Sequence, residues 1–208
     1  MILLSAQFLA SAETKKSWPE PGAPEVAFCG RSNVGKSSCL NALANQHGLA
    51  RVSRTPGRTR LLNFFDFKIS EKTRSGARGP THELRLVDLP GYGYASGPKS
   101  EKAGWGSMID TFLTERESLR ALVILVDGDL GPQESDRAMV DFARTLPHQL
   151  IVVATKIDKH SKSRREGLLQ KAASFLKLDR DQVLGFSSKE KLGVDELWHT
   201  LVKAVGTP

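Results

Sequence analysis

Short apolar runs alternate along the chain with longer stretches in which apolar residues recur every three or four positions. The runs predict strands near residues 25–29, 61–69, 83–88, 121–127, 149–155 and 183–187. The longer stretches predict helices near 36–46, 98–118, 133–145, 161–177 and 193–205. This alternation predicts a three-layer α/β/α sandwich around a mostly parallel sheet of six strands. Because segment 61–69 turns back into 83–88, we expect it to form one antiparallel edge strand.

Two polar segments punctuate this pattern. Residues 70–81 contain two glycines and a proline, which predicts a protruding, mobile hairpin tip. A proline-rich stretch at residues 19–24 ends an N-terminal arm, residues 1–24, and leaves residues 25–206 as a single domain. A length of 208 residues with 39% hydrophobic content suits one core of ordinary size.

The composition of the N-terminus and the two cysteines bear on the cellular compartment in which the protein acts. The first twelve residues imitate a signal peptide but lack its basic start and full apolar core. No run approaches the roughly 18 apolar residues of a membrane span. We therefore expect a cytoplasmic protein that does not bind membranes. We predict that Cys29 and Cys39 are small buried thiols, because their spacing matches no common zinc site.

The chemistry of the chain begins where the first predicted strand ends. There the pattern G-x-x-x-x-G-K-[ST] and the serine after it comprise Gly30, Arg31, Ser32, Asn33, Val34, Gly35, Lys36, Ser37 and Ser38. The glycines let successive N–H groups face phosphate oxygens, Lys36 neutralises charge on the β- and γ-phosphates, and the Ser37 hydroxyl can ligate Mg²⁺. The sequence thus predicts a P-loop NTPase fold that binds a nucleoside triphosphate with Mg²⁺.

A second motif indicates which base is bound. Thr155-Lys156-Ile157-Asp158 follows the apolar run 150–154 and is expected at the carboxyl edge of the sheet, where α/β folds bind ligands. Asp158 can accept hydrogen bonds from guanine N1 and N2, a pair of donors that adenine lacks. The stem of Lys156 can cover the base, and Ser187-Ser188-Lys189 can offer a backbone N–H to guanine O6. The alternative is a turn in which Asp158 caps a helix and Lys156 is solvated; the preceding P-loop favours guanine.

A third motif, Asp88-Leu89-Pro90-Gly91, follows an alternating strand between the other two. This turn is predicted to contact the phosphates: Asp88 holds Mg²⁺ through water, and the Gly91 N–H contacts the γ-phosphate and senses its loss. An Asp-x-Pro-Gly turn without a ligand is the alternative.

The polar and basic segment 51–60 predicts a mobile switch. Its predicted phosphate contacts are Gly57, Arg58 and Thr59. We prefer Thr59 over Thr55 as the Mg²⁺ ligand opposite Ser37, because Thr59 nearly abuts the following strand.

Together these motifs resemble the YihA/EngB (YsxC) branch of the Era-like bacterial GTPases. Tyr-Gly-Tyr-Ala at residues 92–95 and Pro-Gly-Arg-Thr at residues 56–59 are typical of this branch, and the other motifs are typical of translation-factor-like GTPases generally. The resemblance runs from about Gln7 to Val205. It implies GTP and GDP as ligands, assembly of the large ribosomal subunit with contacts to its RNA and protein, and a requirement in growth or septation.

The resemblance also bears on hydrolysis. Ras-like proteins have a water-orienting glutamine after Asp-x-x-Gly, whereas Tyr92 stands here. We therefore expect slow intrinsic hydrolysis that depends on the catalytic Lys36, on Mg²⁺ and on the loop N–H groups. In related Era-like GTPases an asparagine at the position of Asn33 helps to bind K⁺, so the resemblance implies a K⁺ site; the alternative is an asparagine that only stabilises the turn.

The net positive charge of the chain indicates a further class of binding partner. Lys and Arg number 30 against 23 Asp and Glu, a net charge of +7. The excess falls in two clusters: Arg51, Arg54, Arg58 and Arg60, and Lys156, Lys159, Lys162, Arg164, Arg165, Lys171 and Lys177. Such clusters suit RNA phosphates, and a solvated helix face is the alternative.

We expect a monomeric GTPase that switches its segments 51–60 and 91–106 with nucleotide state. Two other classes stay open. One is a nucleotide-dependent binding module with negligible turnover, and the other is an ATP-using P-loop phosphotransferase.

Overall fold

A computed structural model describes residues 1–50, 61–92 and 108–206. The strands in these ranges are β1 (Ile2–Ala12), β2 (Glu25–Gly30), β3 (Leu62–Lys72), β4 (Arg78–Asp88), β5 (Leu119–Asp127), β6 (Gln149–Thr155) and β7 (Val183–Gly185). The helices are α1 (Lys36–Leu43), α2 (described over 108–115), α3 (Glu134–Ala143), α4 (Lys162–Leu176) and α5 (Val194–Gly206). Short 3₁₀ turns lie at Lys15–Ser17, Ile157–Lys159 and Arg180–Gln182.

The helices cover both faces of one sheet, whose strand order is β1-β3-β4-β2-β5-β6-β7. Alternate residues of β2 show the two layers: Ala27 and Cys29 belong to the core under α2, α3 and α4, whereas Val26 and Phe28 belong to the core under α1 and α5. The predicted three-layer α/β/α sandwich is confirmed. The described ranges hold no helix that could span a membrane.

The strand count and the edge strand differ from the prediction. The sheet has seven strands in the described residues, because Ile2–Ala12 of the predicted N-terminal arm pairs antiparallel with β3. The strand β3 does run against the other six, but it is the second strand and β1 is the edge. Register shifts between Leu3 and Ser5 and between Phe8 and Ala10 interrupt the alternation of β1. A bulge changes the face on which following side chains lie, which explains why the period-two signal is weak there.

Local turn chemistry sets the ends of other predicted elements. The predicted helix 36–46 ends at Leu43, and Asn45 adopts the left-handed region with φ 46°. The Asn41 amide then holds the next turn, since its Nδ2 donates to Ala50 O at 2.9 Å and its Oδ1 accepts from Ala50 N at 2.7 Å. The predicted hairpin is present, with β3 and β4 pairing from Asn63–Asp88 out to Lys72–Arg78.

A buried charge network closes the amino-terminal end of the central strands. Glu25 is fully buried and accepts hydrogen bonds from Arg116 at 2.5 and 2.8 Å and from Arg85 at 3.3 Å. The two guanidinium groups also donate to the carbonyls of Pro19 (2.9 Å) and Glu20 (3.1 Å). Because each charge has partners, this network ties the segment after β1 to the sheet.

Candidate nucleotide site

The phosphate-binding loop connects β2 to α1 at the carboxyl edge of the sheet. Asn33 (φ 65°) and Gly35 (φ 106°) both adopt left-handed conformations, which turn the backbone sharply before the helix. Gly30 leaves no room for a side chain, since a Cβ would lie 2.8 Å from Leu125 O. Gly35 is the N-cap of α1 and has no side chain to occupy the first N–H groups. Those N–H groups and the helix dipole are therefore available to an anion.

Lys36 and Asp88 meet at the centre of the site. Phe28 of β2 pairs with Asp88 at the end of β4, so the two motifs are brought together by neighbouring parallel strands. The Lys36 ammonium forms an ion pair with Asp88 Oδ1, and their side chains are 12% and 8% exposed. A cation for phosphate and a carboxylate for a hydrated metal ion thus lie side by side.

The turn after β4 is bound to the phosphate loop through backbone groups. Leu89 N donates to Phe28 O at 2.9 Å, Tyr92 N donates to Gly30 O at 3.2 Å, and Ser32 N donates to Tyr92 O at 3.3 Å. Pro90 has no N–H to donate. Among the described residues the Gly91 N–H makes no hydrogen bond. Of this turn, Asp88 and Gly91 therefore have groups free for a ligand.

Thr155 and Lys156, which belong to the predicted guanine motif, form hydrogen bonds with the phosphate loop. The buried Thr155 hydroxyl lies 2.6 Å from Val34 O and 3.1 Å from Val126 O. Lys156 has φ 59°, and its ammonium donates to Asn33 O at 2.8 Å and Asp127 Oδ2 at 2.7 Å. Its nitrogen is thus held between two motifs, unlike the freely solvated lysine that the alternative interpretation requires.

Asp158 stands in the 3₁₀ turn after Lys156 and is half-buried. Within the described residues its carboxylate accepts no hydrogen bond, so it does not cap a helix there. Both oxygens therefore remain available for a ligand. This arrangement suits the predicted contact with guanine N1 and N2.

The segment 187–189 is held beside this turn. Phe186 N donates to Ala154 O at 2.8 Å, and Ile157 N donates to Phe186 O at 3.3 Å. Ser187 is buried, and its N–H donates to Leu192 O at 3.0 Å. Ser188 and Lys189 are exposed and follow directly. The backbone N–H predicted for guanine O6 therefore has to come from one of these two residues.

Asp127 is a site residue that the sequence analysis missed. Its Oδ2 accepts from Lys156, and its Oδ1 accepts from the N–H groups of Asp129 (2.9 Å) and Leu130 (3.1 Å). Register pairs Asp127 with Thr155, at the same sheet edge as the other motifs. Its position at the carboxyl end of a predicted strand was the signal that could have identified it.

The predicted switch residues Gly57, Arg58 and Thr59, together with Thr55, lie outside the described residues, as does the arginine cluster between 51 and 60. The same holds for residues 93–106 of the second predicted switch.

The second basic cluster divides into paired and unpaired cations. Lys156, Lys159 and Arg165 pair with Asp127, Asp129 and Glu190 at 2.7, 2.5 and 3.1 Å. Four others are exposed and form no ion pair with the part of the chain that the structure describes: Lys162, Arg164, Lys171 and Lys177. We name these four the α4 cations.

Both cysteines have the environment that the sequence predicts. Cys29 and Cys39 are free and buried. Burial raises the pKa of each thiol above its ordinary value. Neither thiol takes part in the site.

Comparison with known proteins agrees with this geometry. A family model described as "50S ribosome-binding GTPase" matches residues 25–156. A probable GTP-binding protein EngB from Myxococcus xanthus is 45% identical over 204 residues, which cover 98% of this chain and 96% of that protein. The chain belongs to the EngB family of GTPases. A second EngB relative, from Streptococcus pyogenes, is 44% identical over 97% of this chain and 95% of its own length.

Solved structures add the fold. A crystal structure of a probable GTP-binding protein EngB has a TM-score of 0.62 at 21% identity, over 87% of this chain and 98% of that one. A crystal structure of Aquifex aeolicus Era has a TM-score of 0.69 at 23% identity, over 89% of this chain and 58% of the other. These structures agree with a P-loop fold, and the family model and the EngB relatives show that the chain is a GTP-binding GTPase.

Proposed function

We propose that this GTPase acts in the cytoplasm as a monomeric switch that assists assembly of the large ribosomal subunit, and that growth and septation depend on it. The observation that carries the proposal is the family match over residues 25–156, since that family is described as binding the 50S ribosome. The four unpaired α4 cations support it, because exposed cations are the groups that contact RNA phosphates.

In the nucleotide complex, the backbone of residues 30–38 and the Lys36 ammonium hold the phosphates, and Gly57, Arg58 and Thr59 approach them from the first switch. Asp158 selects guanine, and Ser188 or Lys189 donates to its O6. Lys156 reaches back to Asn33 O and Asp127, so base binding and loop geometry depend on one side chain. This coupling favours simultaneous binding of both ends of the nucleotide.

The residues present suit Mg²⁺. Asp88 offers a carboxylate next to Lys36, and Ser37 offers a hydroxyl in the first turn of α1. Hard oxygen donors of this kind, few in number, are typical of Mg²⁺ sites that share phosphate ligands. We assign Ser37 and Thr59 as direct ligands and Asp88 as a ligand through water. Bound Mg²⁺ would neutralise charge on the β- and γ-phosphates.

For K⁺ the candidate ligand is Asn33. Its side chain is exposed, and within the described residues its amide makes no hydrogen bond. The amide oxygen is therefore free to ligate a monovalent cation near the phosphates. K⁺ at this position would supply positive charge where an arginine finger acts in other GTPases.

Intrinsic hydrolysis is slow in this proposal because the position after Gly91 cannot orient water. The Tyr92 side chain is buried, and its hydroxyl donates to Asp136 Oδ1 at 2.9 Å. Lys36 and the loop N–H groups hold the charge of the phosphates, which is the part of catalysis that the chain itself supplies. Acceleration then comes from the ribosomal partner or from K⁺.

Sedimentation of the full chain with purified large subunits tests the proposal. We expect the protein to pellet with large subunits in the presence of β,γ-imido-GTP and to remain in solution with GDP. Replacing the four α4 cations by glutamine, K162Q/R164Q/K171Q/K177Q, should weaken binding and lower the salt dependence by about one unit of slope per lost phosphate contact.

A control variant that removes three charges lies at the other end of the sheet. The β3–β4 hairpin exposes Lys72, Arg74 and Arg78 without ion pairs in the described residues. We expect K72Q/R74Q/R78Q to bind large subunits like the wild type. Binding that does not depend on nucleotide, or that falls equally in both variants, would contradict a specific switch.

A further inference from the structure

The side chain of Tyr92 leaves the nucleotide site and enters the core. Tyr92 is 9% exposed, and its hydroxyl donates to Asp136 Oδ1 at 2.9 Å, where Asp136 is 1% exposed. Burial raises the pKa of the tyrosine, so the phenol keeps its proton and remains the donor. This buried hydrogen bond joins the residue after Gly91 to the first turn of α3.

Asp136 is itself held in place by a second hydrogen bond. Gln133 N donates to Asp136 Oδ2 at 2.7 Å, which forms the capping box of α3. The carboxylate therefore has one oxygen for the helix and one for Tyr92. Because α3 packs on the sheet through Val140 and Ala143, Tyr92 is anchored to a fixed element.

The backbone of Tyr92 holds the phosphate-binding residues in turn. Its N–H donates to Gly30 O at 3.2 Å, and its carbonyl accepts from Ser32 N at 3.3 Å. A Cβ on Gly91 would lie 3.2 Å from Ser32 Oγ, so Gly91 is in close contact with the phosphate loop. The orientation of the Gly91 N–H thus depends on where Tyr92 is held.

We propose that the Tyr92–Asp136 hydrogen bond is a latch that orients the Gly91 N–H for the γ-phosphate before GTP binds. Tyr92 is then a positioning residue for the GTP-bound state. The inference rests on the proposed γ-phosphate contact of Gly91. Without the latch, Gly91 has to become ordered when the triphosphate binds, and this cost lowers affinity for GTP while leaving GDP unaffected.

Titration of the full chain with β,γ-imido-GTP and with GDP, in the presence of Mg²⁺, tests the latch in Tyr92→Phe. We expect the Kd for the triphosphate analogue to rise about tenfold, as for one lost hydrogen bond, and the Kd for GDP to stay within about twofold. The ratio of the two Kd values is the readout, because a purely structural defect lowers the melting temperature or weakens both nucleotides alike. An unchanged ratio, or one that shifts toward the triphosphate, overturns the latch.

Variants of Asp136 separate the latch from the helix cap. Asp136→Asn offers the Tyr92 hydroxyl an amide partner in either orientation, because a phenol can donate or accept. Its Kd ratio should stay close to that of the wild type. Asp136→Ala offers no partner and should reproduce the ratio of Tyr92→Phe. A wild-type ratio in Asp136→Ala overturns the latch.

Gly91→Ala distinguishes the latch from the function on which it rests. The added Cβ would meet Ser32 Oγ at 3.2 Å and Ser32 N at 3.3 Å, so the turn must shift. If Gly91→Ala leaves the Kd ratio unchanged, the γ-phosphate contact is wrong and the latch with it. If Gly91→Ala changes the ratio and Tyr92→Phe does not, the latch alone is wrong.

Discussion

Both ends of the central strands carry buried charged groups. They differ in how many of their charged and polar groups have hydrogen-bond partners within the protein. At the amino-terminal end both oxygens of Glu25 are bonded, and Arg116 also lies over the Trp18 ring with 5.8 Å to its centroid. At the carboxyl end Lys156 keeps 32% of its side chain exposed, and the first N–H groups of α1 have no side-chain cap.

This difference separates a structural network from a ligand site. Buried ion pairs alone do not mark function, because the most buried charge in the comparison, Glu25, belongs to the closed end. Donors and acceptors left free beside paired charges, such as Asp158 and the Gly91 N–H, are what a nucleotide can use. Mutations at the two ends should therefore affect different measurements.

The largest effect is expected from Glu25→Gln, which leaves the buried Arg116 guanidinium without its carboxylate partner, whereas Arg85 keeps its ion pair with Asp66 at 2.7 Å. The free energy of unfolding should fall by about 3–5 kcal/mol in urea denaturation. Affinity for GDP should stay within about twofold of the wild type, because the side-chain partners of Glu25 in the described ranges are Arg85 and Arg116, and neither is a predicted nucleotide-binding residue.

Glu83→Gln is the matched control for this stability measurement. Glu83 pairs with Lys68 at 2.8 Å, and both side chains are exposed. Its stability should stay close to that of the wild type. A large loss of GDP affinity in folded Glu25→Gln would show that the two ends are not independent.

Lys36→Ala should produce the converse result. Affinity for GTP and GDP should fall by about 2–5 kcal/mol, because the phosphates lose their buried cation. The free energy of unfolding without nucleotide should fall less than in Glu25→Gln, since Asp88 lies beside an open site. Calorimetric titration and urea denaturation of the same preparation check both statements, and unchanged affinity would remove Lys36 from the site.

The two ends were also unequally predictable from the sequence. The P-loop, Asp88-Leu89-Pro90-Gly91 and Thr155-Lys156-Ile157-Asp158 are local patterns, and the rule that parallel strands end at one edge brings them together. Nothing local links Glu25 to Arg116, whose hydrogen bond spans 91 residues. Long-range side-chain pairing of this kind depends on the register of the whole sheet.

Even within the site, sequence reasoning found residues more easily than partners. It predicted that Thr155 and Lys156 bind guanine, but their contacts with Val34 O and Asn33 O depend on how β6 lies beside the phosphate loop. It likewise noted that Tyr92 stands where Ras-like proteins have a glutamine. It did not indicate the hydrogen-bond partner of Tyr92, Asp136, which lies 44 residues away. The strand β1 was missed because its bulges interrupt the alternation that predicts strands.

A smaller effect is expected from Asp127→Asn, which removes the charge that holds Lys156. One side-chain oxygen remains to accept hydrogen bonds, but Lys156 loses its carboxylate partner, so GDP affinity should fall by about 1.5 kcal/mol, roughly tenfold. Fluorescence titration with a labelled GDP measures this loss of affinity.

Asp129→Asn is the matched control, two residues away. Its carboxylate pairs with Lys159 at 2.5 Å, outside the contacts that hold the phosphate loop. GDP affinity should stay at the wild-type value. Equal losses in Asp127→Asn and Asp129→Asn would indicate general electrostatics instead of positioning of Lys156.

The smallest effect is expected when the native protein is treated with a thiol reagent, which tests the core between the two ends. Cys29 and Cys39 are buried and the pKa of each thiol is raised, so neither should react with a thiol reagent at about pH 8 in the native protein. Both should react after unfolding in denaturant. Fast native labelling of either thiol would contradict a closed core.

The central claim is that the carboxyl end of the sheet binds GTP through Asp158, and a change of base preference tests it most directly. Asp158→Asn replaces one acceptor by a donor, which mismatches the guanine N2 amine and suits the C2 carbonyl of xanthine. In calorimetric titrations of folded protein, affinity for GTP should fall and affinity for XTP should rise until the preference is reversed. Unchanged GTP affinity, or equal loss of both nucleotides, would contradict the account.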